Sequence, residues 1–206
     1  RASVTGGSVF RIGVGAIPFL LPLLMQECFG YSPVESGAIT FLSAAGSLGM
    51  RTLSKSVLRY YGYRPVLIWN GLIASFFMGI CAIFDVTTPV WIMMVIIFWG
   101  GVSRSLEFTA LNSIAFAEVE RAEMSHAMSF SQLAQRLSLT MGVAFSAIIL
   151  HQVAGDVTPL PISAFSIAFA VIGVVSAVSV LSFLRLGADA GAVLAGRKAE
   201  TEGEKP

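Results

Sequence analysis

Residues 90–111 read VWIMMVIIFWGGVSRSLEFTAL, and this stretch decides the fold. As a helix rising 1.5 Å per residue it is about 33 Å long, enough to cross a hydrocarbon core of about 30 Å. It lacks the period-2 alternation of a lipid-facing barrel strand. Two ionisable residues interrupt it. Arg104 and Glu107 stand about 13 and 16 residues from the outer end, which places them roughly 20 and 24 Å deep. An ionisable group at the centre of a membrane helix costs roughly 2.5–3.5 kcal/mol, so each needs a reason. Their spacing of three puts them on one helix face, where they can pair. Two readings follow: a structural ion pair near the inner end, or a gate or transport path. Thr109 and Asn112 add polarity nearby.

Five further segments have the same length and apolar character. With the first they give spans at about residues 9–28, 36–56, 65–84, 90–111, 129–150 and 162–184. The composition agrees: 55% of the residues are hydrophobic and 12% charged, against about 25% charged in a soluble domain. A surface so poor in charge requires lipid as its solvent. The reading is an all-α membrane protein with six transmembrane helices in one domain, residues 1–186. A charged, Gly/Ala-rich cytoplasmic tail over 187–206 is expected to be disordered. The net charge of +1 says nothing about partners, and no basic block suggests nucleic acid, so no nucleic-acid partner is expected. The chain opens without Met or a signal-peptide layout, so we expect it to begin inside a longer protein.

Lys and Arg set the orientation. The connections 28–35, 84–89 and 151–161 hold no Lys or Arg. All 13 basic residues lie toward the opposite side: Arg51, Lys55, Arg59 and Arg64 around the second connection, Arg121 in the fourth, Arg185, Arg197 and Lys198 after the last span. The basic side is cytoplasmic, and both ends of the chain are expected inside.

The remaining polar residues fall into patterns. Arg11, near the inner end of the first span, can snorkel to the interface. In the fifth span Ser125, Ser129, Gln132, Arg136 and Thr140 follow spacings of four, three, four and four, so they share one face, with Gln135 beside it. A helix wet along its inner half fits the wall of a cytoplasm-open cavity. Small residues crowd the second, third and sixth spans, as close helix packing in lipid demands. Pro18 and Pro22 interrupt the backbone bonding of the first. Cys28 and Cys81 fall near outer ends, as two separate thiols or, on an oxidising face, a disulfide. His126 and His151 lie on opposite sides, so a shared metal is excluded. Nothing calls for a cofactor, and no nucleophile–base pair suggests an enzyme.

These residues carry a resemblance. It rests on Phe10-Arg11-Ile12 leading to Pro18 through Gln26 and Phe29-Gly30; on Leu58-Arg59-Tyr60-Tyr61-Gly62-Tyr63-Arg64; on Gly100-Gly101 with Arg104 through Asn112; and on Met124-Ser125 with Ser129 through Gln132, Gln135 and Gly142. The chain resembles the C-terminal half of a major facilitator superfamily transporter of the fourteen-span EmrB/QacA-type drug:proton antiporters. The resemblance implies a bacterial plasma (inner) membrane protein, multi-pass, that exports drugs or other amphipathic molecules against protons. It implies a missing N-terminal half as partner, besides the lipid bilayer and a small-molecule substrate. The transport-path or gate candidates are Arg11, Arg104, Glu107, Asn112, Gln132, Gln135 and Arg136; Arg59, Gly62 and Arg64 mark a degenerate cytoplasmic loop motif. Two departures stand out. Arg59 sits about where that motif carries an Asp, and Glu107 where the family leads us to expect Gln, which bears on proton handling. The alternatives are a major facilitator transporter of another small metabolite and a non-transporting membrane scaffold.

Overall fold

The computed structural model describes residues 2–115, 124–155, 157 and 159–184. Among them are six α-helices: α1 (Ala2–Glu27), α2 (Pro33–Tyr61), α3 (Tyr63–Gly79), α4 (Val90–Ala115), α5 (Met124–Ala154) and α6 (Ile162–Leu184). A short 3-10 turn, Ile80–Ile83, follows α3. α2, α4 and α5 run past the stretches expected of them and α6 occupies 162–184, whereas α1 ends at Glu27, one residue short, and α3 ends at Gly79, with the 3-10 turn carrying the chain on to Ile83. Arg121, Arg185, Arg197, Lys198, the tail 187–206 and the side chains of Ser125 and His126 lie outside the described residues.

Local chemistry sets the helix ends. Ser32 caps α2: its hydroxyl accepts from the Glu35 backbone N–H at 3.3 Å, and the Glu35 carboxylate accepts from the Ser32 N–H at 2.9 Å. This capping box, with Pro33 at the first helical position, satisfies donors the helix itself cannot. At the other end Gly62, with φ 85°, turns the chain directly into α3 while its N–H still reaches the Leu58 carbonyl at 3.0 Å. Only glycine takes that φ without strain. Between the 3-10 turn and α4, Asp85 and Thr88 close a tight turn through a backbone bond of 2.8 Å.

Neighbour relations divide the bundle into two interlocked sets of three. α1 packs on α5 and α6, α2 on α4, and α3 on α4 and α6. Exchanging α1 with α4, α2 with α5 and α3 with α6 turns each of these contacts into another of them. Three crossings reverse the chain direction, so the second set runs inverted with respect to the first, the repeat architecture of many transporters.

Glycine makes the crossings close. A Cβ on Gly15 would lie 2.2 Å from the Leu139 carbonyl oxygen, and one on Gly142 2.0 Å from that of Ile12. The exchanged crossing of α2 and α4 repeats this. There a Cβ on Gly101 would meet the Ser43 oxygen at 2.2 Å, and one on Gly46 the Phe98 oxygen at 2.5 Å. Where α3 meets α6, a Cβ on Gly173 would sit 2.7 Å from the Gly79 Cα. Helices in lipid gain nothing from hiding apolar surface, and such backbone-to-backbone packing is what holds them together.

Apolar side chains also cover the outside. Trp69, Phe76, Val174, Val178 and Leu181 are exposed on α3 and α6, a surface that suits lipid and not water. Among the described residues five helices are long and apolar enough to cross a membrane. The sixth expected span, α2, is long enough but not apolar enough, because its inner half carries Ser47, Arg51, Ser54, Lys55 and Arg59. α1 runs without a break through Pro18 and Pro22. Cys28 and Cys81 are free thiols.

Candidate functional site

The polar side of α2 explains itself in a cleft of about 1020 Å³ between α1, α2 and α4. The α2 wall runs from Ser43 to Arg59 and the α4 wall from Arg104 to Ser113, with Val14 and Pro18 from α1. No lining residue comes from the outer third of α2 or from α4 before Arg104, so the cleft lies in the half of the bundle where the basic residues collect. From Ser43 to Arg59 it follows about 24 Å of helix.

Hydroxyl groups knit its deep end. The Ser47 hydroxyl donates to the Gly101 carbonyl at 3.0 Å, and that of Ser105 donates to the Ser47 carbonyl at 2.8 Å. Arg104 donates through Nε to its own helix at Gly100 O, 3.1 Å away, and through Nη2 to Ser43 Oγ. Sequence reading counted Ser43 and Ser47 only among the small residues of the second span. They do sit at the close crossing, but they also present oxygen to the cleft and to Arg104. A serine allows both, and nothing in its spacing separates the two uses.

Glu107 turns the other way. It is fully buried, and its Oε2 accepts from Asn70 Nδ2 on α3 at 2.9 Å; Asn70 also donates to the Ser103 carbonyl at 2.9 Å. Oε1 has no partner. The expected Arg104–Glu107 ion pair is therefore absent. Residues three apart differ by about 60° around a helix, and here that angle divides them: Arg104 reaches α2 and the cleft, Glu107 reaches α3. Asn70 was missed by sequence reading, although an Asn inside an apolar span was itself a signal.

A second polar knot ties α1, α4 and α5. Asn112 Oδ1 accepts from Arg11 Nη2 at 2.9 Å and from Gln135 Nε2 at 2.8 Å. The Arg11 guanidinium also lies over the Phe108 ring, 5.6 Å from its centroid, within cation–π range. Arg11 is thus buried and not snorkelling, and its Nε has no partner. Asn112 and Phe108 form part of the cleft wall, so the knot closes that wall from behind. Gln132 and Arg136 stay exposed on α5 and do not line the cleft. In the loop motif, Arg59 lines the cleft mouth, Gly62 makes the turn, and Arg64 Nη2 donates to the Leu184 carbonyl at 3.3 Å, fastening α3 to the end of α6.

Interlocked inverted triplets, a lipid-suited exterior and a polar cleft define a multi-pass α-helical membrane protein. The profile of the Major Facilitator Superfamily matches residues 4–205, and the chain belongs to that family. Over 92% of its length it is 29% identical to the protein MdtD of Serratia proteamaculans and 30% identical to MdtD of Yersinia pestis and of Yersinia pseudotuberculosis, proteins assigned by name to multidrug resistance. The chain spans 40–42% of the length of these relatives. No solved structure matches it at a significant level. The family is one of transporters and not of enzymes.

Proposed function

We propose that this chain is the C-terminal six-helix half of a bacterial inner-membrane antiporter that exports drugs or other amphipathic small molecules in exchange for protons. The observation that supports it most is the one-sided cleft: polar at mid-depth, about 1020 Å³ in volume, and open at the basic end of the bundle. A transporter must hold its substrate near the bilayer midplane and expose it to one side at a time. A cleft closed across its outer half is one wall of the inward-facing stage. The rest of the protein supplies the other wall. The exposed Gln132 and Arg136 on α5 face that missing part, since neither belongs in lipid. Arg104 and Asn112 line the cleft where a substrate would pass, Arg11 and Gln135 brace that wall through Asn112, and together they serve as path or gate groups. Glu107 is the fully buried acid of the described bundle and is this half's candidate for handling a proton.

The multidrug resistance named for the MdtD relatives favours export of apolar or amphipathic compounds by this protein as well. The full-length parent protein in liposomes tests the reading. An imposed proton gradient is expected to drive several amphipathic dyes across the membrane, and dissipating the gradient is expected to stop them. If the gradient moves none of a broad panel, antiport is wrong.

A further inference from the structure

We infer that the cleft takes organic anions: molecules with a carboxylate, sulfonate or phosphate on an apolar skeleton, in preference to cations. The inference rests on the transporter reading above and narrows its substrate class. Four cationic side chains, Arg51, Lys55, Arg59 and Arg104, line the cleft, and none of its lining residues is Asp or Glu. The acids of the described bundle are all elsewhere. Glu27, Glu35 and Asp85 stand at the opposite end, around the helix ends and turns there, and Glu107 is sealed against Asn70 on α3.

Orientation in the membrane accounts for Arg51, Lys55 and Arg59, which lie near the basic end of α2. It does not account for Arg104. This residue faces Ser43, ten positions into α2 from Pro33, about 15 Å from that helix's outer end. Its bonds go to a carbonyl and a hydroxyl, two neutral acceptors. Arg11, directly behind the wall, is buried with a neutral amide and an aromatic ring for company, and one guanidinium nitrogen is unused. Buried cations are ordinarily paired with anions. Among the described residues neither of these has an acidic partner.

A positive potential focused in a cleft with low-dielectric walls draws anions and repels cations. The rest of the lining suits the other parts of such a molecule. The hydroxyl protons of Ser47, Ser105 and Thr109 are committed to backbone carbonyls, which leaves the anionic head to the Arg and Lys donors, while Val14, Leu58 and Phe108 offer apolar surface to the skeleton. Arg104 at the deep end and Arg59 at the mouth mark an entry path of one sign.

Two probes with a common skeleton and opposite charge test this: 2-naphthalenesulfonate and (2-naphthyl)trimethylammonium. Both are titrated by calorimetry into the full-length parent protein in nanodiscs, and both are assayed for gradient-driven transport in liposomes. The sulfonate is expected to bind about tenfold or more tightly than the ammonium, and less tightly as salt rises. Arg104→Gln is expected to lower sulfonate affinity about tenfold and Arg104→Lys by less, since Lys keeps the charge and loses the fork. Arg59→Gln, at the exposed mouth, cannot disturb helix packing and is expected to weaken sulfonate binding without unfolding. Tighter binding of the ammonium, no binding of the sulfonate, or sulfonate binding indifferent to both Arg104→Gln and Arg59→Gln overturns the inference. Transport of the ammonium alone sinks the anion assignment and leaves the antiporter standing. Arg104-dependent sulfonate binding with no movement of either probe supports the anion site and removes the antiport reading.

Discussion

Asn112, Glu107 and Cys28 each make a prediction. Asn112 holds two helices to α4 through one oxygen. Asn112→Leu leaves Arg11 and Gln135 without that acceptor inside the bundle, and we expect a loss of about 2–4 kcal/mol, read as a lower Tm of the parent in detergent. Glu107 behaves differently because a neutral isostere keeps its contact. Glu107→Gln is expected to hold or raise Tm, since the amide cannot ionise inside the bundle and still gives Asn70 an acceptor; Glu107→Ala is expected to lower it. If Glu107 handles the proton, the Gln variant also loses its response to the gradient. Cys28, just past the end of α1, donates to the Leu160 carbonyl at 3.4 Å. Burial, helped by neighbouring Glu27, pushes its thiol above the ordinary cysteine range. The thiolate is the reactive form, so labelling by a maleimide is expected to be slow at neutral pH. Its rate should keep climbing at pH values where an ordinary thiol has levelled off. These details were half legible in the sequence. Residue type and depth named Arg11, Arg104, Glu107, Asn112 and Gln135, because a polar group in lipid needs a reason. Partners were not legible: Arg104 and Glu107 share a helix face by spacing, but which neighbouring helix fills each side of that face is a property of the assembled bundle.

At the scale of elements, the crossings are the vulnerable points. Gly142→Ala places a methyl carbon where the Ile12 carbonyl oxygen stands, and Gly101→Ala does the same at Ser43. Backbone cannot give way as a side chain can, so each is expected to cost about 1–3 kcal/mol or to push the helices apart. Gly37 is the control: nothing lies within 4 Å of a Cβ there, and Gly37→Ala is expected to be neutral or slightly stabilising. Equal Tm losses for Gly37→Ala and Gly142→Ala would show that the crossings do not hold the bundle. Helix positions were readable from hydropathy and length alone, down to a few residues at α4 and α6. The glycines were readable as packing residues but not as pairs, since reciprocity between α1 and α5, or α2 and α4, exists only once the helices cross. For α2 the polar residues of its inner half, read one by one as orientation signals or packing, belong together as one wall of a cleft.

The whole molecule joins these levels: a lipid-suited exterior, two inverted triplets of helices, and one polar cleft that opens at a single end. Membership in the Major Facilitator Superfamily places the chain in a family of transporters, and from the distribution of Lys and Arg we propose that the open end faces the cytoplasm. The most direct test places one cysteine at the midpoint of the cleft. Ser47→Cys is nearly isosteric, and it is made in the full-length parent with Cys28 and Cys81 replaced by Ser. A small membrane-impermeant thiosulfonate is then applied to right-side-out and to inside-out vesicles. Rapid labelling from the cytoplasmic face, slowed by transported substrate, with little labelling from outside, is the predicted result. Labelling from neither face, or from outside alone, would contradict a water-filled path that reaches mid-membrane from within.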